Sequence, residues 1–118
     1  MKINTYLDST YLKTPAQSGL SEEKTLETVF NLAQEAIENN IFAVMIRPNY
    51  VKQMRAFLSE KNSNVVIGTV IGFHEGTYSI EHKLAEATKA IEDGVDELDF
   101  VINYEAYKNG ELELVKKE

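Results

Sequence analysis

The chain has 118 residues, 43% of them hydrophobic and 26% charged, a globular composition that excludes a disordered segment or a fibrous repeat. A net charge of −7 disfavours nucleic acid and anionic membranes as partners. The absence of cysteine excludes disulfides, thiolate metal sites and a cysteine nucleophile.

The elements alternate along the chain. Ile3 to Leu7 reads as a short strand ending at Asp8, followed by a loop to Leu20 in which Thr14-Pro15 and Gly19 act as breakers. Ser21 has the side chain of a helix N-cap, and Glu22 and Glu23 place negative charge in the first turn. Leu26, Val29, Phe30, Ala33 and Ile37 then recur at helical spacing to about Asn40. The apolar run Ile41 to Ile46 suits a strand buried on both faces and is stopped by Arg47-Pro48. Val51, Met54 and Leu58 mark a second helix. Val65 to Phe73 reads as a third strand, with Glu75-Gly76-Thr77 as the loop after it. Ser79 caps a third helix with Ile80, Leu84, Ala87 and Ile91 on its apolar stripe, and Gly94 stands where a helix C-terminus takes a left-handed residue. Val95 to Ile102 is the fourth strand. Asn103 to Gly110 is irregular or a short helical turn, and Glu111 to Glu118 begins another helix. Such alternation predicts an α/β fold with a parallel sheet and right-handed crossovers. Residues 1–118 show no internal domain boundary. The chain is short for a closed barrel, which needs roughly 200 residues or more.

The fourth strand carries the strongest chemical signal. Acidic residues are depleted in strands, and a parallel strand is normally dry on both sides. Asp99 stands between Leu98 and Phe100, so its carboxylate must either meet a structural ion-pair partner or serve a function, and the residues alone leave both open. Asp96 and Glu97 read as the solvated entrance to the strand. Asp8-Ser9-Thr10 could form a site loop, although such residues also begin ordinary turns. His74 and His82 have no partner at metal-ligand spacing, so neither metal nor cofactor is expected, and His74 is an ordinary loop histidine or a substrate contact. The four-residue spacing of Gly68, Gly72 and Gly76 matches no nucleotide-binding fingerprint and suggests close packing or a bulge. Lys13, Lys83 and Lys89 fall in loops or on helices, no lysine falls in a strand, and none is expected to be desolvated enough for imine chemistry.

Four segments taken together resemble the bacterial-type deoxyribose-phosphate aldolases. They are Tyr6-Leu-Asp-Ser-Thr-Tyr-Leu-Lys13, Thr69-Val-Ile-Gly-Phe73, Lys83-Leu-Ala-Glu-Ala87 and Ala90-Ile-Glu-Asp-Gly-Val-Asp-Glu-Leu-Asp-Phe-Val-Ile-Asn103. The resemblance implies a TIM (β/α)8 barrel, here a partial one of about four parallel strands and three to four helices. It also implies a lyase that reversibly cleaves 2-deoxyribose 5-phosphate to acetaldehyde and glyceraldehyde 3-phosphate through a lysine imine, with no metal. By the same resemblance Asp99 takes part in the proton relay at the imine carbon. Asp8 supports a second active-site lysine, with Thr10 beside it. The Schiff-base lysine, the auxiliary lysine and the phosphate-binding loops of strands six to eight have no counterpart here. The family usually has proline directly after Gly-Phe of strand three, where this chain has His74 and then Glu75. Met45 stands where strand two often carries cysteine.

The expectation is therefore an N-terminal half-barrel that starts at its own Met1, stops inside a helix, and is inactive alone. The alternative is a non-catalytic half-barrel serving as a structural or interaction module. The expected partners are a small phosphorylated sugar in the whole enzyme and either the complementary half or a second copy, because helices on one face leave the other face and the edge strands open. Nothing in Met1 to Leu7 looks like a signal peptide, and the longest apolar run is too short to cross a bilayer, so a cytoplasmic location is expected.

Overall fold

The computed structural model describes residues 2–118, so Met1 lies outside the described residues. Its centre is one parallel sheet of four strands in chain order: β1 (Asp8–Tyr11), β2 (Ala43–Ile46), β3 (Val66–Ile71) and β4 (Glu97–Phe100). The helices are α1 (Pro15–Ser18), α2 (Glu22–Glu38), α3 (Val51–Glu60), α4 (Ile80–Glu92), α5 (Tyr104–Lys108) and α6 (Leu112–Lys117). Three of them, α2 to α4, are long crossovers, and the other three are short.

The first strand differs from its sequence expectation. Ile3–Tyr6 winds into a 3-10 turn, held by the Thr5 and Leu7 amides on the Lys2 and Asn4 carbonyls. The ladder begins only at the Leu7 carbonyl, which accepts from the amides of Phe42 and Ala43. Asp8 and Thr10 therefore belong to β1 itself rather than to a loop after it. The apolar pattern was misleading because Ile3 and Tyr6 stay exposed and are not paired in the sheet. β3 and β4 are shorter than their expected runs by one or two residues at each end, and β2 loses two residues at its start while ending at Ile46 as expected.

Register fixes which side chains share a face. Asp8 pairs with Ala43, Thr10 with Met45, Met45 with Gly68, Gly68 with Glu97, and Val70 with Asp99. These residues form one face, and the period of two assigns Tyr11, Val44, Ile46, Ile67, Thr69, Ile71, Leu98 and Phe100 to the other. The second face carries the core. Val44, Ile46 and Ile67 pack with Val29, Ala33 and Ala36 of α2 and with Val51, Met54 and Leu58 of α3, all fully or almost fully buried. Phe30 stacks on Phe57 at 5.0 Å between ring centres, joining the two helices.

Local capping follows the sequence. Ser21 accepts from the Lys24 amide and Ser79 from the His82 amide, each satisfying an orphan donor of a first helical turn. Gly94 ends α4 with φ +100°.

The stripe of α4 is where the pattern misleads. Ala90 and Lys83 are buried, whereas Leu84 and Ile91 are 63% and 61% exposed. Leu84 lines a cleft with Leu98 and Phe100 of β4, which are also exposed. The face opposite the core is open only toward its edges, at Asp8, Thr10, Glu97 and Asp99, whereas its middle is closed. There Met45 and Val70 are each only 6% exposed. Met45 lies across Gly68, where a Cβ would stand 2.7 Å from its Cε. Uncovered apolar surface also lies along the β4 edge, where Leu98 and Phe100 meet Leu84 of α4 in a cleft.

Candidate active site

The expected site residues all lie on the face opposite the core, here called the inner face. Asp99 is exposed there, one residue from the C-terminal end of β4 and beside Val70 of β3. Its neighbours Leu98 and Phe100 point the other way, where they line a cleft with Ile80, Leu84 and Ala87 of α4. Among the described residues no cation is within ion-pair distance of Asp99, so the structural ion pair that a carboxylate in mid-strand would need is not formed within this chain. Exposure removes the burial cost that such a pair would have to offset.

Asp8 and Thr10 are exposed on the same face, at the other edge of the sheet. From β1 to β4 there are three strand spacings, about 14 Å in a flat sheet. Asp8 also lies four residue levels below Asp99 in the register. The four strands therefore put the two carboxylates on one surface without bringing them together; closure of a sheet into a barrel would be required for that.

Two features were not anticipated. Asp96, read as a solvated entrance residue, accepts from the Ile67 amide at 2.9 Å and pairs with Arg55 at 2.6 Å. It ties β4 to β3 and α3, close to where Arg55 Nε donates to the Gly94 carbonyl at 2.9 Å. The second is Lys83, which was expected to be no more than a helix lysine in solvent. It is buried, its ammonium donating to the Val101 carbonyl at 2.8 Å and to the Glu118 carboxylate. Glu118 also accepts from the Asn103 amide at 2.6 Å. Burial alone would raise the Glu118 carboxyl, but the Asn103 amide and the Lys83 ammonium outweigh it and hold the group below the usual carboxylate range. The spacing Ile80, Lys83, Ala87, Ala90 is itself helical, and a lysine on that line was the available signal. Lys83 lies on the core side of β4, in the cleft with Leu98 and Phe100, and so does not share a surface with Asp99.

The loop after β3 approaches the end of β4 closely. At Gly76, with φ +72°, a Cβ would collide with the Ile102 carbonyl, so only glycine lets the loop pass there. His74 is exposed at the C-terminal end of the sheet, at 4.0 Å from Glu75. Among the described residues no group of three or more His, Cys, Asp or Glu side chains could hold a metal ion. No described helix is long and apolar enough to cross a membrane.

The model of the DeoC/LacD family aldolases matches residues 6–117. The chain belongs to that family. Deoxyribose-phosphate aldolase from Thermococcus gammatolerans is 42% identical over the whole chain, which covers 49% of that protein. The enzyme of the same name from Lactiplantibacillus plantarum is 40% identical, again over the whole chain and half of its own length. Among solved structures, the tetrameric deoxyribose phosphate aldolase of Aeropyrum pernix matches 98% of this chain with 48% of its own, at a TM-score of 0.73 and 29% identity. Another solved aldolase matches the same share of this chain at a TM-score of 0.77 and 32% identity. The chain thus spans about half the length of the curated aldolases it matches, and its sheet is a partial barrel of their type.

Proposed function

We propose that this chain is the N-terminal half of a deoxyribose-phosphate aldolase, with 2-deoxyribose 5-phosphate as the substrate of the whole enzyme. The observation that carries the reading is Asp99: a carboxylate on the inner face near the C-terminal end of a parallel strand, the end at which barrel enzymes place their chemistry. In this reading a lysine outside the chain forms an imine with the sugar aldehyde and becomes the electron sink for carbon–carbon cleavage. Asp99 moves protons at the imine carbon, and Asp8, with Thr10 beside it, supports a second lysine once the sheet closes.

The lysine imine requires an unprotonated amine. Among the described residues the strands carry no lysine, and the buried Lys83 is engaged by Glu118 on the other side of the sheet. The 118-residue chain alone is accordingly inactive. Trapping with deoxyribose 5-phosphate and borohydride tests this. The expected result is no covalent adduct on the isolated chain and an adduct on the other half when a C-terminal half from a relative is added. An adduct on the isolated chain would overturn the assignment of the lysine.

The exposed Leu84, Leu98 and Phe100, which share a cleft at the β4 edge, favour association through that edge, either with the complementary half or with a second copy. Sedimentation at low micromolar concentration is expected to show more than a monomer, and a single monomeric species with a cooperative melt would refute it. The lack of a strand lysine also supports the second reading, a half-barrel used only for interaction. That reading expects a complex with the complementary half that remains without activity.

A further inference from the structure

At the C-terminal ends of β1 to β3 a cleft of about 410 Å³ is lined by Leu12, Lys13, Gln17, Arg47, Phe73 and His74. No carboxylate lines it, although acidic residues outnumber lysine and arginine by 19 to 12 in the chain. Arg47 continues β2 by one extended residue, φ −65° and ψ 149°, so its side chain leaves on the opposite side from the buried Ile46. Two contacts then fix the guanidinium. Its Nε donates to the Leu12 carbonyl at 2.6 Å, and its central carbon lies 4.8 Å from the centre of the Phe73 ring. These use one edge and one face of the group. The terminal N–H groups have no partner among the described residues, and neither does the ammonium of Lys13. The Gln17 side-chain oxygen accepts from the Thr14 amide at 2.8 Å, which leaves its NH2 group as a further donor.

We propose that this cleft is an oxyanion site that binds phosphate, free or as a monoester, through the terminal N–H groups of Arg47 and the ammonium of Lys13. A planar fork held in place by its remaining edge loses little freedom on binding and matches two phosphate oxygens at once. Lys13 adds a point charge, and Gln17 and His74 supply polar groups at the rim. The site is distinct from the loops that the family resemblance assigns to the substrate phosphate, which this chain lacks, and it stands independently of the aldolase reading. Carried one residue past its last pair, Ile46 with Thr69, the register sets Arg47 level with Val70 and Asp99, two strand spacings or about 10 Å from the carboxylate in a flat sheet. A phosphate ester held at Arg47 therefore has room to direct its carbon chain along the inner face.

The test is a titration of the isotopically labelled chain with inorganic phosphate at constant ionic strength, followed by NMR. Saturable shifts are expected at Lys13, at the Arg47 Nε–H, at Phe73 and at His74. Arg47→Gln is expected to weaken binding about tenfold or more and Arg47→Lys by less, because charge is kept while the fork is lost. Lys13 is exposed and forms no hydrogen bond or ion pair among the described residues, so Lys13→Gln keeps the test informative should the Arg47 variants fail to fold; it is expected to weaken binding several-fold. Lys89→Gln, on α4 and paired with Asp93, is the control and leaves binding unchanged. Parallel titrations with deoxyribose 5-phosphate and with unphosphorylated deoxyribose identify the source. Tighter binding of the ester than of inorganic phosphate assigns the site to a sugar phosphate, equal binding assigns it to free phosphate, and saturation by the unphosphorylated sugar at those residues overturns the proposal. Shifts that fail to saturate, or that saturate alike in wild type and Lys13→Gln, also overturn it.

Discussion

The two halves of the one sheet make different use of the same strand geometry. In β2 every residue is buried and in β3 all but the first, between α2 and α3 on one side and the Met45–Gly68 packing on the other. In β4 every residue is exposed, and in β1 the exposed positions are Asp8 and Thr10. Backbone pairing is regular throughout, so the difference lies in what covers each strand. The covered half holds the fold together, and the uncovered half carries the carboxylates assigned to chemistry together with the apolar flank assigned to association. In the proposed reading stability and function are separated by strand, and substitutions can test how completely.

The largest effect is expected at Asp99. In a protein completed with a C-terminal half, Asp99→Leu should lower kcat by about 10²–10⁴-fold, the usual contribution of a general acid–base group. In the 118-residue chain the same change should leave the urea midpoint nearly unmoved. A near-normal rate would make the aspartate structural.

Leu58→Ala on the covered side comes next, with an expected loss of about 2–5 kcal/mol for a fully buried leucine. Phe100→Ala, at a position 53% exposed in β4, is expected to cost far less in the isolated chain. Equal losses in denaturant melts would mean that the flank is covered in solution, and the effect of protein concentration would show whether by a second copy.

Lys83→Met should be smaller again and local. It leaves the buried Glu118 carboxylate without its ammonium, a loss of about 1–3 kcal/mol. Hydrogen exchange should quicken from Val101 onward, while α2 and α3 keep their protection. Uniform loss of protection would place Lys83 in the global core instead.

The smallest expected effect is the pH dependence of the same contact. The folded chain holds the Glu118 carboxyl below its ordinary value, so this contribution is complete above the ordinary carboxylate range and is lost as the pH falls through the depressed folded value. The melting temperatures of wild type and Glu118→Gln should differ at neutral pH and converge in acid. A gap that widens on acidification would reverse the sign of the linkage.

Much of this fold was legible in the residues because the physics is local. Ser21 and Ser79 cap helices through bonds to the third residue on, and the stripe of Val51, Met54 and Leu58 needs only a 3.6-residue period. The alternation of apolar runs with such helices leaves few options besides a parallel sheet. The peculiarity of Asp99 was equally visible, since a carboxylate between Leu98 and Phe100 breaks the dry pattern of a parallel strand.

What the sequence did not determine depends on partners distant along the chain. Ile3 to Leu7 is as strand-like as Asp8 to Tyr11 by composition, and only pairing with Ala43 to Ile46 decides which of them joins the sheet. That shift moves Asp8 and Thr10 from a loop onto the face they share with Asp99. Lys83 reads as a solvent lysine until the Val101 carbonyl and Glu118 meet it, and Leu84 and Ile91 read as core until nothing arrives to cover them. The cleft around Arg47 and Lys13 likewise gathers residues from three strand ends. Period and capping are set within a few residues, whereas burial and charge pairing are set by whatever the tertiary fold brings alongside, and it is the latter that decided which of these side chains share a surface.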